Sequence, residues 1–363
     1  MPLRIMKLQG NLLHSYSPAE LVRYIWESPV CEKYNASVRA LSANLLSKRY
    51  TKRDELEDTL KAMEVARQLG IRVPGIRRTF EFEHDTWCIM ERIHGSTFGE
   101  AWPQLSWIAT MKVALQLRRY IRLLRSVTSP TAGSLATGKC RSFYLEDRCE
   151  LPARSSPEAI TRFLKFWTNW LSFKYEISKW KPDAPQEAGH TLKWIPPTAE
   201  TFVLTHHDLA PRNLLLDPDG RLWILDWDYA GFYPSYFEFA AMQNFRAWNR
   251  WSLLDRMRWD LFSWMTVGRS ERERHLLEEI KYMNVFDIDK FDTQRLSEPV
   301  IAVHACAMIN PSDKGDGIDR LDMAPGYECV VDALPTGFSL LAMLEASGLA
   351  HRHCSTAVTT LAR

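Results

Sequence analysis

The sequence lacks the features of a secreted, disulfide-stabilised protein. Its seven cysteines are odd in number, and no two of them form a C-x-x-C pair. This usage favours reduced thiols over a disulfide framework or a zinc site. There is also no run approaching ~18 apolar residues, and no amino-terminal apolar stretch with a small-residue cleavage site. We therefore expect a cytoplasmic protein that is neither secreted nor membrane-spanning.

An excess of charge of one sign is missing too. The chain has 46 Lys and Arg against 44 Asp and Glu, a net charge of +2, and no block of like charges stands out. This balance gives no reason to expect nucleic acid or a membrane surface as a partner. With 363 residues, of which 46% are hydrophobic, the chain can bury a large core in two lobes or domains. The sequence leaves the oligomeric state open.

Two kinds of periodicity divide the chain. After a short helix capped by Ser17, the first 93 residues show strand, strand, helix, strand and strand patterns. The patterns beyond are mainly helical. We predict an α+β protein with a small amino-terminal lobe over residues 1–91, which contains an antiparallel sheet and a helix. A larger, mainly helical lobe covers 92–299, and residues 300–363 form an extension of uncertain structure.

The densest group of polar residues surrounds a predicted hairpin. LLLDPDGRLWIL reads as two buried strands joined by an Asp-Pro-Asp-Gly turn. Asn213 precedes the first strand and Asp226 follows the second, so antiparallel pairing brings both to one edge of the sheet. Asp208 lies five residues before Asn213, in the loop that leads in. Carboxylate and amide oxygens suit Mg²⁺, which often takes further ligands from phosphates. We predict a magnesium and phosphate site here.

These residues also resemble the core of a known family. The order of His206, Asp208, Asn213 and Asp226 is similar to that of the kinase catalytic loop and metal carboxylate. With FYPSYFEFA downstream, it resembles the aminoglycoside phosphotransferase and choline-kinase-like family, most closely its fungal branch. The resemblance implies a protein-kinase-like two-lobe fold, ATP and Mg²⁺ as cofactors, Asp208 as catalytic base, and Asn213 and Asp226 as metal ligands. His206 should hold the loop in place, while Asp228 is either a second metal-side acid or a cap.

The same resemblance implies a phosphate-binding lysine. Lys48 ends ANLLSKRY, which is similar to the strand whose lysine contacts the α- and β-phosphates of ATP. A carboxylate of the following helix should hold this ammonium group. Glu57 is the first candidate, with Asp58 and Glu64 as alternatives that the helix pattern does not exclude.

The adenine site and the phosphate-covering loop follow from two further stretches. CIMERI resembles the hinge between the lobes, where the backbone of Glu91–Ile93 would pair with adenine while the side chains of Met90 and Ile93 pack on its faces. No G-x-G-x-x-G precedes Lys48, and YNASVRALS occupies that place. Its small residues would let backbone N–H groups approach phosphate.

The acceptor is expected to be a hydroxylated small molecule, because no activation-segment APE motif is apparent. Aminoglycosides are polycations, and an arginine-rich acceptor lobe argues against them. Twelve of the 14 tryptophans lie beyond residue 100, and those outside the core would suit a flat, apolar or quaternary-ammonium acceptor. The arginines in question are Arg246, Arg250, Arg256, Arg258, Arg269, Arg272 and Arg274.

Two departures from the family pattern leave alternatives open. The family's loop usually reads His-Gly-Asp-Leu-His, whereas this chain has His207 in place of the glycine and Ala210 in place of the second histidine. A bulky residue at 207 must fit a tight turn that glycine adopts freely. A nucleotide-binding pseudoenzyme is therefore one alternative to an ATP-dependent phosphotransferase. A lyase that phosphorylates a hydroxyl group and then expels phosphate is another.

Overall fold

The computed structural model confirms the predicted α+β class. A five-stranded antiparallel sheet lies in the amino-terminal part of the chain, and helices with two small sheets make up the rest. No helix within the described residues is long and apolar enough to span a membrane. The structure describes residues 12–32, 35–145, 151–169, 194–244 and 251–286.

Contacts divide the chain into two compact units, and the site described below lies in the first. This unit comprises residues 1–161 and 196–284, and the second comprises 162–195 and 285–363. The predicted extension over 300–363 lies outside the described residues, and the lobe boundaries stay a prediction.

The amino-terminal part begins with the capped helix that the sequence predicts. Ser17 accepts a hydrogen bond from the Glu20 backbone, and the Glu20 side chain returns one to the Ser17 backbone, which completes a capping box. The elements are helix α1 (Pro18–Glu27), strands β1 (Val30–Glu32), β2 (Asn35–Ala40) and β3 (Leu45–Tyr50), helix α2 (Arg53–Gln68), and strands β4 (Ile76–Phe82) and β5 (Asp85–Glu91). The strand order in the sheet is β1-β2-β3-β5-β4.

Both helices pack on this sheet through apolar faces. Leu21 and Ile25 of α1 lie in one buried cluster with Trp87 and Ile89 of β5. Leu56 of α2 packs with Tyr50 of β3 and Cys88 of β5. Helix α2 ends just before Gly70, whose φ of +76° suits glycine. The sheet therefore presents the end of β3 beside the inner face of α2.

The remaining elements are mainly helical, as predicted. The helices are α3 (Phe98–Ala101), α4 (Trp107–Arg125), α5 (Pro157–Thr168), α6 (Tyr236–Gln243), α7 (Leu253–Val267) and α8 (Glu271–Phe286). The strands are β6 (Ser96–Thr97), β7 (Thr128–Ser129), β8 (Gly133–Ser134), β9 (Phe202–Thr205), β10 (Leu214–Leu216), β11 (Leu222–Ile224) and β12 (Gly231–Tyr233). Their two sheets have the orders β11-β10-β6 and β7-β9-β12-β8.

A cluster of aromatic rings forms the core of this part. The ring of Trp102 stacks on Trp251 and meets Trp259 edge-on, with centroid distances of 5.6 Å and 5.3 Å. Phe98 and Phe262 complete the cluster. These tryptophans are core residues and do not line an acceptor pocket.

The predicted hairpin between β10 and β11 is present in the structure. Strands β10 and β11 pair antiparallel with Leu214 opposite Ile224 and Leu216 opposite Leu222. Gly220 closes the turn with a φ of +72°. Gln116 of α4 bonds the turn, since its side chain contacts the Gly220 carbonyl and the Leu222 N–H.

The described residues that follow β7 are held to other elements at two points. Strand β8 pairs with β12, and residues 136–137 return to α2, where their backbone N–H groups donate to Asp58 at 3.0 Å and 2.8 Å. A buried carboxylate with two backbone donors makes charge-assisted bonds that hold the segment in place.

Candidate active site

The β10–β11 hairpin brings Asn213 and Asp226 to one edge of its sheet. The Leu225 N–H donates to the Asn213 carbonyl at 2.8 Å, directly beyond the last strand pair. Asp226 then has a φ of +60°, which turns the chain sharply after β11. The antiparallel geometry therefore unites residues that are 13 positions apart in the sequence.

Asp208 lies beside this edge in an asymmetric environment. Its Oδ2 accepts hydrogen bonds from the Arg212 guanidinium at 2.7 Å and from the Asn213 amide at 2.8 Å. Its Oδ1 is buried and has no hydrogen-bond partner among the described residues. Burial raises the pKa of Asp208 to about 6, although the positive charge of Arg212 opposes the shift. One oxygen is thus anchored by two donors, while the other is buried without a partner among the described residues.

His206 holds the loop in the way the sequence suggests. Its Nε2–H donates to the Leu225 carbonyl at 3.0 Å, and its Nδ1 accepts from the Asp208 N–H at 3.2 Å. The partners define the neutral tautomer with the proton on Nε2. Burial lowers the pKa of His206 to about 4, so the ring is uncharged at neutral pH.

Glu238 is a residue of this site that sequence reasoning missed. It lies in α6, is fully buried, and its carboxylate accepts from the backbone N–H groups of His206 and His207 at 2.8 Å and 3.0 Å. Burial raises the pKa of Glu238 to about 7. The segment FYPSYFEFA contains it, but no local pattern indicates that this acid reaches a loop 32 residues away.

His207 occupies the turn in the conformation that glycine would adopt. Its φ is +65°, a region that costs non-glycine residues backbone energy. The ring packs against both Tyr233 and Phe237, and its Nε2 lies 2.8 Å from the Ser142 hydroxyl. Burial lowers the pKa of His207 to about 3. The bulky side chain therefore points away from Asp208 into an aromatic cluster and leaves the loop intact.

Lys48 joins the two acids that follow β11. Its ammonium group donates to Asp226 at 2.6 Å and to Asp228 at 2.5 Å. The other oxygen of Asp228 accepts from the hydroxyl groups of Tyr50 and Thr59 at 3.1 Å and 3.0 Å. Burial alone would lower the pKa of Lys48, but the two carboxylates outweigh it and hold the ammonium form. The pKa of Asp226 is lowered, since Lys48 outweighs the opposing effect of burial.

The prediction that Glu57 holds Lys48 needs correction. Glu57 is exposed and pairs with Arg53 at 2.8 Å. Neither alternative contacts Lys48: Asp58 binds residues 136–137, and Glu64 pairs with Lys61 at 2.9 Å. Residues two apart on a helix point about 200° apart, so turning Thr59 toward Asp228 turns Glu57 to solvent. Helix α2 therefore reaches the Lys48 cluster through the Thr59 hydroxyl group, which donates to Asp228, and not through a carboxylate.

Two of the three backbone N–H groups in the predicted adenine-binding stretch are already hydrogen-bonded within the chain. The Glu91 N–H donates to the Gly75 carbonyl at 2.8 Å, and the Arg92 N–H donates to Asn44. Within the described chain, the Ile93 N–H has no backbone acceptor. Met90 packs beside Tyr50, close to the lysine. Of the three backbone donors in the described chain, only that of Ile93 is thus without a backbone acceptor.

The donor set at the hairpin edge fits a hard divalent cation. Two carboxylates, Asp226 and Asp228, share the single positive charge of Lys48, so the cluster is negative overall. Asn213 adds an amide beside them. Among the described residues, no three His, Cys, Asp or Glu side chains form a metal cage of their own. Mg²⁺ commonly binds through one or two protein groups plus water and phosphate.

Comparison with known proteins identifies related chains. The model of the phosphotransferase enzyme family matches residues 39–267. A search of curated protein sequences gives no match.

Three solved structures are similar to this chain at low sequence identity. The aminoglycoside phosphotransferase APH(4)-Ia has 15% identity and a TM-score of 0.45, over 83% of this chain and 100% of that chain. APH(3'')-Id from Streptomyces rimosus has 14% identity and a TM-score of 0.40, over 72% of this chain and 97% of that chain. The choline kinase LicA from Streptococcus pneumoniae has 14% identity and a TM-score of 0.35, over 76% of this chain and 91% of that chain. With all three scores below 0.5, the family model is the informative match.

Proposed function

The chain belongs to the phosphotransferase enzyme family, and on that premise we propose that it transfers the γ-phosphoryl group of ATP to a hydroxyl group of a small-molecule metabolite, with Mg²⁺ as cofactor. The observation that supports this most directly is the state of Asp208. Its carboxylate is buried and fixed through one oxygen, while the other oxygen has no partner among the described residues.

Asp208 would act as the general base. An acceptor hydroxyl group within hydrogen-bond reach of Oδ1 would donate its proton there as its oxygen attacks the γ-phosphorus. The bond from phosphorus to the bridging oxygen then breaks, and ADP leaves. A pKa of about 6 keeps Asp208 ionised at neutral pH yet basic enough to accept the proton. Arg212 and Asn213 fix its orientation, so little reorganisation is needed.

Asn213 and Asp226 would hold Mg²⁺, with Asp228 as a further acid beside them. When bound, the ion offsets negative charge on the transferring phosphoryl group. Lys48, held by both acids in the structure, would contact the α- and β-phosphates. The backbone of Ile93 would meet adenine, flanked by Met90 and Glu91. These assignments agree with the charge of the cluster, which is negative without a cation.

The acceptor is a hydroxylated small molecule. The arginines of the described chain do not determine whether it is positively charged. Arg258 donates to backbone carbonyls of Leu105 and Trp102, and Arg274 pairs with Glu271 and Glu278. Arg258 also pairs with Asp255, so carboxylates within the chain offset the positive charge of both arginines. Arg246 and Arg250 lie outside the described residues. Arg258 and Arg274 therefore do not disfavour a polycationic acceptor such as an aminoglycoside.

The test is a metabolite screen with Mg²⁺ and ATP, read by mass spectrometry for gain of a phosphoryl group. Asp208→Asn preserves the shape but removes the base, and a general base contributes roughly 10²–10⁴-fold. We expect a loss of that size, with unfolding behaviour little changed. Asp219→Asn, an exposed acid of the hairpin turn paired with Arg221, is the matched control. Equal ADP formation by the wild type and Asp208→Asn would refute the assignment.

A further inference from the structure

Exposed apolar side chains are concentrated on one pair of helices. Of the 13 large hydrophobic residues exposed within the described chain, nine lie on α4 and α7, which pack against each other. They are Trp107, Ile108, Met111, Leu115, Leu253, Leu254, Met257, Leu261 and Trp264, with exposed fractions between 37% and 73%. We call this set the α4–α7 surface. Single exposed apolar residues are ordinary, but a concentration of this kind marks an interaction site.

The spacing on α7 is that of a helix-pairing seam. Leu254, Met257, Leu261 and Trp264 follow one another at intervals of three, four and three residues, which is the a/d repeat of a coiled coil. The opposite face of α7 is already buried, with Trp259 and Phe262 in the core. A surface helix normally carries one apolar stripe, and α7 carries two. The outward stripe is therefore built to be covered.

Two charged residues in the first half of α7 are paired within the chain. Asp255 caps α7 through Ser252 and pairs with Arg258 at 3.0 Å. Arg258 also donates to carbonyl groups at the start of α4, so it is engaged within the chain. The surface also borders positive charge, because Lys112 of α4 is exposed and the Arg269 guanidinium lies 4.6 Å from the centroid of the Trp264 ring.

The area is large enough for a stable complex. The nine exposed fractions add up to about five fully exposed side chains, or roughly 900 Å² at about 180 Å² each. A typical specific interface buries about 800 Å² per partner. From the area and the spacing, we propose that the α4–α7 surface binds the same surface of a second copy of this chain, and that the protein is a two-fold symmetric dimer.

Two-fold symmetry fixes which residues meet. If α7 packs antiparallel on its copy about an axis through residue 259, Met257 of each chain lies opposite Leu261 of the other. Leu254 then lies opposite Trp264, so a small residue faces a large one at both ends. Such an interface is self-complementary, because each contact occurs twice. The stripe on α4, with Ile108, Met111 and Leu115 at intervals of three and four residues, flanks this seam.

The experiment measures the mass of the full-length protein in solution by light scattering and sedimentation across a concentration series. The wild type should have about 84 kDa, twice the 42.1 kDa of the chain. The double variant Met257→Glu, Leu261→Glu places four carboxylates in the seam and should be monomeric with an unchanged far-ultraviolet circular dichroism spectrum. Leu12→Glu, at a residue that is 45% exposed outside both helices, should remain dimeric.

A charge-complementary variant tests the register itself. In Met257→Glu, Leu261→Lys, each new acid faces a new lysine of the other chain, so the dimer should return. A monomeric wild type at all concentrations would overturn the proposal, as would a dimer that survives the two glutamates. A monomer that sediments with anionic phosphatidylserine vesicles would assign the surface to lipid instead. Failure of the Glu–Lys variant alone would overturn the antiparallel pairing.

Discussion

The sharpest prediction concerns Glu238, the buried acid behind the catalytic loop. Replacing it with glutamine keeps the shape but turns one oxygen into an amide nitrogen, so one of the two backbone N–H groups of His206 and His207 faces a donor. An unsatisfied buried donor costs about 1–3 kcal/mol. Glu238→Gln should therefore be less stable than the wild type by this amount under acidic conditions.

The size of this effect should depend on pH, with a definite sign. The pKa of Glu238 is raised from 4.5 to about 7 by burial, so the folded protein holds this proton more tightly than the unfolded chain. Wild-type stability from this group is present below pH 4.5 and is lost as pH rises to about 7. The loss is about 3 kcal/mol, at about 1.4 kcal/mol per pH unit. Glutamine does not titrate, so Glu238→Gln does not undergo this loss of stability.

The assay is urea denaturation of both proteins at several values between about pH 4.5 and 8, with the free energy of unfolding extrapolated to water. The advantage of the wild type over Glu238→Gln should fall by about 3 kcal/mol across this range. Glu57→Gln, at an exposed position of α2, is the control for removing a carboxylate. A difference that stays constant, or grows toward high pH, would refute the reasoning about Glu238.

Three further predictions concern Asp208, His207 and Cys88. Because the ionised form of Asp208 is the base and its pKa is about 6, kcat/KM should rise with pH through about 6; a rise centred near 4 would contradict the assignment. His207→Gly should be more stable than His207→Ala by about 1 kcal/mol, measured by denaturation, because only glycine adopts the φ of +65° freely. The buried Cys88 thiol, whose pKa burial raises to about 12, should resist iodoacetamide at pH 8 while the exposed Cys31 reacts, as peptide mass spectrometry would reveal.

The sequence by itself determined the arrangement that depends on local patterns. The turn between β10 and β11, the alternation of buried residues along them, and the antiparallel return suffice to bring Asn213 and Asp226 together. The capping box at Ser17 and the glycine after α2 likewise fixed helix ends from a few residues. These features are short-range, so composition and spacing specify them without knowledge of the rest of the chain.

Only the tertiary structure decided the partners of these residues. The rotation of α2 about its axis selects Thr59 over Glu57, and a helix pattern does not fix that rotation. Glu238 reaches the catalytic loop, and Asp58 reaches residues 136–137, across long stretches of sequence. The second apolar stripe of α7 can be recognised as exposed only when the structure shows that the other apolar face of the helix is the buried one. Such contacts depend on how whole elements dock, because burial and charge pairing are set by neighbours in space and not by neighbours in the chain.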